Sequence, residues 1–382
     1  MFYVGAIGVC DRGRRGGKFQ SISSSPPDPI PTHLTVIDCA GRYLCPGLFD
    51  AHVHLCATPS FKDLSKALGN PNDVHLLRQP YTAAQMLHRG FTSIRDCGGA
   101  QLSMKEAIDE GVFPGPRLFI AGHALSQFGG HGDLRGSYEG TGCCGGTHSN
   151  NHLGRLCNGV PECMAAMREE VRCGADFVKI IGNGRVASPT DKLEHLQFTA
   201  AEIQAMVECA GNAGTFVTAH AYTIKAIRHW IENGVKGIEY GNFVDAPTAT
   251  LMAYKGVYLT PTLIVRADGV GVVEGISAAG VADEGLMYEF ALRLLVSKPV
   301  EVLRSATVNP AKMMEWQDSI GQIKEGFYVD IVILNKNPFE DVAVFNEPKK
   351  YILGVIKDRC VYKSRRDILP EDSETPIRVK YN

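Results

Sequence analysis

At 382 residues the chain can bury a large core, enough for one big domain and a small companion. With 45% hydrophobic and 21% charged residues, its composition is that of an ordinary globular protein. Lys plus Arg number 39 against 41 Asp plus Glu, a net charge of -2 that gives no footing to a nucleic-acid or anionic-membrane partner.

The twelve cysteines are irregularly spaced and include no zinc-type CxxC pair, so they read as reduced thiols, mostly small buried hydrophobes. The apolar start, MFYVGAIGVC, has its Arg-rich stretch behind it rather than ahead of it and shows no small-residue cleavage site. No apolar run approaches the roughly 18 residues of a spanning helix. The expectation is a cytoplasmic protein without membrane contact.

Residues 21–32, SISSSPPDPIPT, read as a Ser/Pro loop that can continue neither strand nor helix. From residue 47 short buried strands alternate with amphipathic helices, the pattern of βα units. The strands are LFDAHVHL (48–55), TSIRDCG (92–98), RLFIAG (117–122), FVKII (177–181), FVTAHA (216–221), GIEYG (237–241) and YLTPTLIV (258–265). TAAE at 199–202 is a capping box followed by Ile203, Met206, Val207 and Ala210 at helical spacing. Thr223 caps a helix carrying Ala226, Ile227, Trp230 and Ile231 on one face.

Seven such strands predict an α/β chain of the (β/α)8 TIM-barrel type. The eighth strand belongs between residues 266 and 290, where a Gly/Ala-rich stretch holds no buried strand, so the barrel is expected to be incomplete there. A helix follows around 299–315. The β-like segments at both ends predict a small β-sandwich domain from residues 1–45 plus 320–363, with the barrel over 46–319 and a tail at 364–382.

His52 and His54, two apart in a strand, project to the same face and make half of a zinc-type site. A lone HxH is weak evidence, and two polar strand residues is the bland alternative. His220 ends its strand and Lys179 lies in another. In a parallel barrel these C-terminal strand ends share one rim, which gathers three imidazoles and an amine. A lysine inside an apolar strand is costly unless paired or altered. Carbamylated by CO2, Lys179 becomes an anionic ligand able to bridge two cations.

CPGLFDAHVHL, GGHGD, FVKIIGNGRVASPTD, VTAHAYT, GIEYGN and YLTPTLIV, in this order, resemble motifs of the amidohydrolase superfamily. The nearest branch in character is that of Xaa-Pro dipeptidase (prolidase), imidazolonepropionase-like and ochratoxinase-like enzymes. The likeness runs from about residue 36 to 363. It implies that His52 and His54 hold a buried metal, that Lys179 is the carboxylated bridge and that His220 holds a more exposed metal. His131 and Tyr222 match positions that approach the substrate's carboxylate or carbonyl. The implied cofactors are up to two divalent cations, zinc the best fit, and a CO2-derived carbamate. The implied substrate is a small dipeptide or N-acyl amino acid; homo-oligomerisation is left open.

Two departures stand out. Tyr240 occupies the place of the family's second histidine for the exposed metal, and phenol binds metal well only as phenolate. The strand-eight aspartate that serves as general base has no counterpart context; Asp283 is the positional candidate and Asp268 a weaker one. The alternatives are a degenerate, non-catalytic barrel and a mononuclear enzyme built on His52 and His54. Stronger retention of the buried metal and weak turnover are expected. GTGCCG at 140–145 reads as loop rather than phosphate cradle, and the long segment 123–159 as a loop over the site. His148 and His152 read as solvent-exposed, and Asp96 as structural.

Overall fold

The computed structural model describes residues 3–5, 17–23, 37, 39, 41–57, 71–133, 135, 138, 153–184, 191–262 and 285–364. In chain order come β1 (Tyr3–Gly5), β2 (Ser21–Ser23), β3 (Tyr43–Pro46), β4 (Leu48–Val53), α1 (Asn72–His88), β5 (Phe91–Asp96), α2 (Leu102–Asp109) and β6 (Arg117–Ile120). Then follow β7 (Ala124–Ser126), β8 (Gly154–Leu156), α3 (Gly159–Arg172), β9 (Val178–Ile181), α4 (Ala200–Asn212), β10 (Val217–Ala221), α5 (Ile224–Glu232) and β11 (Gly237–Tyr240). The last elements are α6 (Ala246–Lys255), β12 (Tyr258–Thr260), α7 (Gly285–Leu294), α8 (Pro299–Ser305), α9 (Val308–Met313), β13 (Ile331–Leu334), α10 (Pro348–Tyr351), β14 (Ile352–Lys357) and β15 (Cys360–Ser364).

Two parallel sheets carry the βα units, one ordered β4-β5-β6 and the other β12-β11-β10-β9-β7-β8. The Asp176 amide donates to the Ile120 carbonyl at 2.7 Å, linking the approach to β9 with the edge strand β6. Period-two alternation explains which side chains face inward. On β9, β10 and β11 the residues Val178, Ile180, Val217, Ala219 and Ile238 pack outward against the helices. Their neighbours Lys179, Thr218, His220 and Glu239 are buried on the opposite, inner face. The sheets roll around that interior, because His52 of β4 meets Glu239 of β11 at 2.7 Å and Arg95 of β5 reaches Thr260 of β12 at 3.3 Å.

The outer helices form as their sequences dictate. Thr199 and Glu202 close a capping box on α4, and Thr223 accepts from the Ala226 amide on α5. Ile203, Met206 and Ala210 of α4 share one core with Ala226, Ile227, Trp230 and Ile231 of α5.

Four expectations change. Ser21–Ser23, read as loop, forms β2 and pairs antiparallel with β1, since pairing ends before the prolines begin. Segment 123–159 contains the short parallel pair β7 and β8, three residues each, too brief to show alternation. The strand read as 258–265 spans Tyr258–Thr260, with Pro261 beyond it and residues from 263 outside the described residues. The helix around 299–315 is two helices, α8 and α9, broken at Ala306 and Thr307. Among the described residues no pairing joins β12 to β4, and the stretch read as the place of an eighth strand lies, up to residue 284, outside the described residues.

The chain ends meet in one antiparallel sheet ordered β15-β14-β13-β3. Among the described residues the expected sandwich reduces to this sheet and the separate β1–β2 pair. Arg117 of β6 ties the sheet to the βα units, donating to Asp358 at 2.5 Å and to Asp330 at 3.4 Å while lying 4.5 Å over the Tyr328 ring. Removing one partner of a buried ion pair leaves uncompensated charge, here chiefly on Asp330, since Asp358 keeps Lys357 at 3.7 Å. Arg117→Ala should therefore cost about 3–5 kcal/mol in urea unfolding; a change within experimental error would show that the two parts do not depend on this contact.

Candidate metal centre

The β4 strand places His52 and His54 on the inner face with ring centroids 5.2 Å apart. His54 Nδ1 lies 2.9 Å from the Gly98 carbonyl, which can only accept, so Nδ1 carries the proton and Nε2 keeps its lone pair. His52 Nδ1 lies 2.7 Å from Glu239 Oε2 and its Nε2 is 3.1 Å from the Tyr240 hydroxyl. Both imidazoles thus turn Nε2 away from their anchors, the arrangement in which an outer carboxylate or carbonyl orients a metal-binding histidine.

His220 of β10 sets its ring edge-to-face against Tyr240 and Tyr222, centroids 4.7 Å apart in both cases, and tilted 5.0 Å from His131. Lys179 Nζ lies 5.9 Å from the Tyr240 ring. The structure therefore brings His52, His54, Lys179, His220, His131 and Tyr222 around one interior space centred on Tyr240. Asp283 and Asp268 lie outside the described residues, as do His148, His152 and the GTGCCG segment. Asp96 accepts from the Leu55, Gly98 and Ala100 amides and acts as a backbone clasp.

Glu239 is the residue that sequence reading passed over. It is fully buried, and burial pushes its carboxyl up, but the Arg95 charge, the His52 hydrogen bond and Lys179 outweigh this and hold it well below the usual carboxylate range. Arg95 and Thr218 bond one oxygen and His52 the other. The only signal in the sequence was an acid inside the apolar strand GIEYG. Ligand atoms of His52, Cys97 and Glu239 fall within 4.8 Å of one another. Glu239 is nonetheless spoken for on both oxygens, and burial pushes the Cys97 thiol far up. The inward Nε2 atoms fit a cation better than that trio does.

Charge state follows from burial. It lowers the His52 imidazole, against the raising pull of Glu239, and takes His54 down to about 3, with His52 and Lys179 adding to the fall. Burial also lowers the Lys179 ammonium, against Cys97 and Glu239. Neutral imidazoles are what a divalent cation requires, and an amine attacks CO2 only in its unprotonated form.

Tyr240 reaches this centre through strain. It adopts φ of 73°, a left-handed conformation uncommon for a bulky residue. The next residue, Gly241, returns to the sheet by donating to the Ala221 carbonyl at 3.0 Å.

A second network holds the residues opposite. Asp191 bonds Gln197 Nε2 at 2.6 Å, Gln197 bonds the Ser126 hydroxyl at 3.4 Å, and that hydroxyl accepts from the Gly132 amide at 3.1 Å. A Cβ at Gly130 would sit 2.4 Å from Gln197 Oε1, so the GGHG turn carrying His131 packs this closely only with glycine. Asn183 accepts from the Tyr222 amide at 3.1 Å. The β9 loop thereby fixes both His131 and Tyr222.

Comparison with known proteins gives a consistent picture. The family model described as Amidohydrolase family matches residues 43–298 and 288–361. Ochratoxinase of Aspergillus niger is 29% identical over 352 residues, covering 80% of this chain and 73% of that protein. A prolidase crystallised with N-methylphosphonate-L-proline superposes with a TM-score of 0.83 at 32% identity, over 96% of this chain and 100% of that one. A Xaa-Pro dipeptidase with bound methionine gives 0.74 at 25% identity, over 91% and 93% of the two chains.

The depressed imidazoles set a pH dependence in chelator-treated protein. The folded chain keeps His54 neutral down to about 3, whereas an unfolded histidine takes its proton near 6.5, so unfolding between these values is coupled to proton uptake. Stability present above pH 6.5 should be lost steadily as pH falls toward 3. Thermal melts across this range test it, and a level profile would contradict neutral buried imidazoles.

Proposed function

Because the chain belongs to the amidohydrolase family, hydrolases acting on carbon–nitrogen bonds, we propose that it cleaves the amide or peptide-like bond of a small carboxylate-bearing substrate, a dipeptide or N-acyl amino acid, with a divalent cation as cofactor. The observation that carries the reading is the pair of inward-facing Nε2 atoms on His52 and His54, each fixed by an anchor on Nδ1. The likeness to a prolidase holding a phosphonate analogue of a prolyl compound supports the substrate class.

His52 and His54 would hold one cation, zinc the best match to imidazole donors, with Lys179 and His220 available for it or for a second. A bound divalent cation supplies Lewis acidity to a carbonyl and lowers the pKa of water. Lys179, its charged form disfavoured by burial, would take up CO2 as a carbamate with loss of a proton and so become an anionic donor. His131 and Tyr222, held by Asp191 and Asn183, would orient the substrate across the centre. No proton transfer is assigned to Asp283, which lies outside the described residues.

One contact favours a second reading, a weakly active or non-catalytic member of the family. The Tyr240 hydroxyl already satisfies His52 Nε2 at 3.1 Å, on the atom a cation needs. Metal analysis of zinc-incubated protein, with a panel of X-Pro dipeptides and N-acyl amino acids, separates the two. The proposal expects at least one bound metal per chain and hydrolysis that chelation abolishes. No retained metal and no turnover would establish the second reading. Tyr240→Phe removes one competing hydrogen bond of about 0.5–1.5 kcal/mol, so cation binding should tighten roughly 2- to 10-fold; weaker binding would make the hydroxyl a ligand rather than a competitor.

A further inference from the structure

Phe198 is a second bulky residue near the site whose backbone lies in the left-handed region, at φ of 60°. It stands between Gln197, whose amide donates to the Gly182 carbonyl at 3.2 Å, and Thr199, the cap of α4. A bulky side chain keeps such a conformation only where its surroundings over-determine it. Here three contacts do so. The Phe198 amide donates to Gln127 Oε1 at 2.7 Å, and its carbonyl accepts from His229 Nε2 at 3.2 Å. Its buried ring meets Trp230 edge-to-face, centroids 6.4 Å apart.

His229 and Trp230 belong to α5, and Trp230 Nε1 also donates to the Gly182 carbonyl at 3.1 Å. The outer helix thus holds the β9 loop at two points. Gln127 lies on the far side, at the start of the turn that carries His131, where its carbonyl accepts from the Gly130 amide at 3.1 Å. The torsion φ sets the angle between a residue's N–H and its C=O. At an ordinary negative φ, Phe198 could not face Gln127 with one and His229 with the other. The strained backbone is therefore the link between α5 and the GGHG turn.

We propose that Phe198 is a positioning residue for His131, transmitting the hold of α5 through Gln127 to the GGHG turn. This role rests on the proposed hydrolytic reading, in which His131 orients the substrate.

Two pairs of variants of the full chain test it. Phe198→Ala and Phe198→Gly remove the same ring, but only glycine adopts φ of 60° freely. Gln127→Leu removes the acceptor, and Gln127→Glu keeps an oxygen in its place. In metal-free protein, amide hydrogen exchange over residues 127–133 should run about 2- to 10-fold faster in Phe198→Ala than in Phe198→Gly, as loss of one hydrogen bond implies. Gln127→Leu should differ from Gln127→Glu in the same way, with β10 unchanged in all four. In zinc-loaded protein the affinity for N-methylphosphonate-L-proline should fall by a similar factor in Phe198→Ala and Gln127→Leu, while bound zinc stays at the level of the unaltered chain. Equal exchange within each pair, exchange raised throughout the chain, or zinc lost together with the phosphonate would overturn the role of Phe198. If the unaltered chain binds no phosphonate, the hydrolytic reading fails, and the exchange contrast alone decides whether Phe198 holds the turn. If melting curves show that a Phe198 variant does not fold, the Gln127 pair, which keeps the ring in place, decides the matter.

Discussion

The Glu239 carboxylate is the constraint on which the interior depends. It is charged, buried and bound by Arg95, Thr218 and His52, side chains from three other strands. An isolated carboxylate could not persist in such a place, so the arginine must be there as well. Arg95 in turn donates to the Ala51 carbonyl and lies 4.9 Å over the Phe177 ring. Satisfying one charge therefore draws β4, β5, β10 and β11 together and curls the sheet. The same bond to His52 Nδ1 decides which imidazole nitrogen faces the centre. Architecture and candidate chemistry rest on one polar cluster.

Much of this was legible in the sequence because alternation has a period of two. The strands FVKII, FVTAHA and GIEYG place Lys179, His220 and Glu239 on the face opposite their aliphatic neighbours, and a parallel order brings those faces together. The HxH pair, the Thr199 box and the Thr223 cap are local patterns, readable without a partner. What escaped depends on distant partners or on backbone conformation. Glu239 looks like a flaw in an apolar strand until Arg95, 144 positions away, is seen beside it. The left-handed φ of Tyr240 aims its phenol at His52, a contact no residue pattern encodes. Strands as short as β7 and β8 are held by their neighbours rather than by their own composition.

Tyr240 also gives meaning to the family likeness. A chain can belong to the family while one residue of its interior, Tyr240, occupies a nitrogen of His52. Its phenol satisfies the nitrogen that a cation would take, so His52 Nε2 carries no penalty for lacking a partner. The cost falls on the cation, which must displace a hydrogen bond, and on the backbone, which holds a bulky residue at positive φ.

The account's central claim is that Glu239 fixes His52 for a cation while binding none itself. Cobalt(II) titration of chelator-treated protein, unaltered and Glu239→Gln, followed by visible absorption, tests this most directly. Loss of an outer carboxylate should weaken cobalt binding about 10- to 100-fold while leaving the ligand-field spectrum of the bound ion unchanged. Unaltered affinity, or a spectrum showing that an oxygen ligand has been lost, would contradict it.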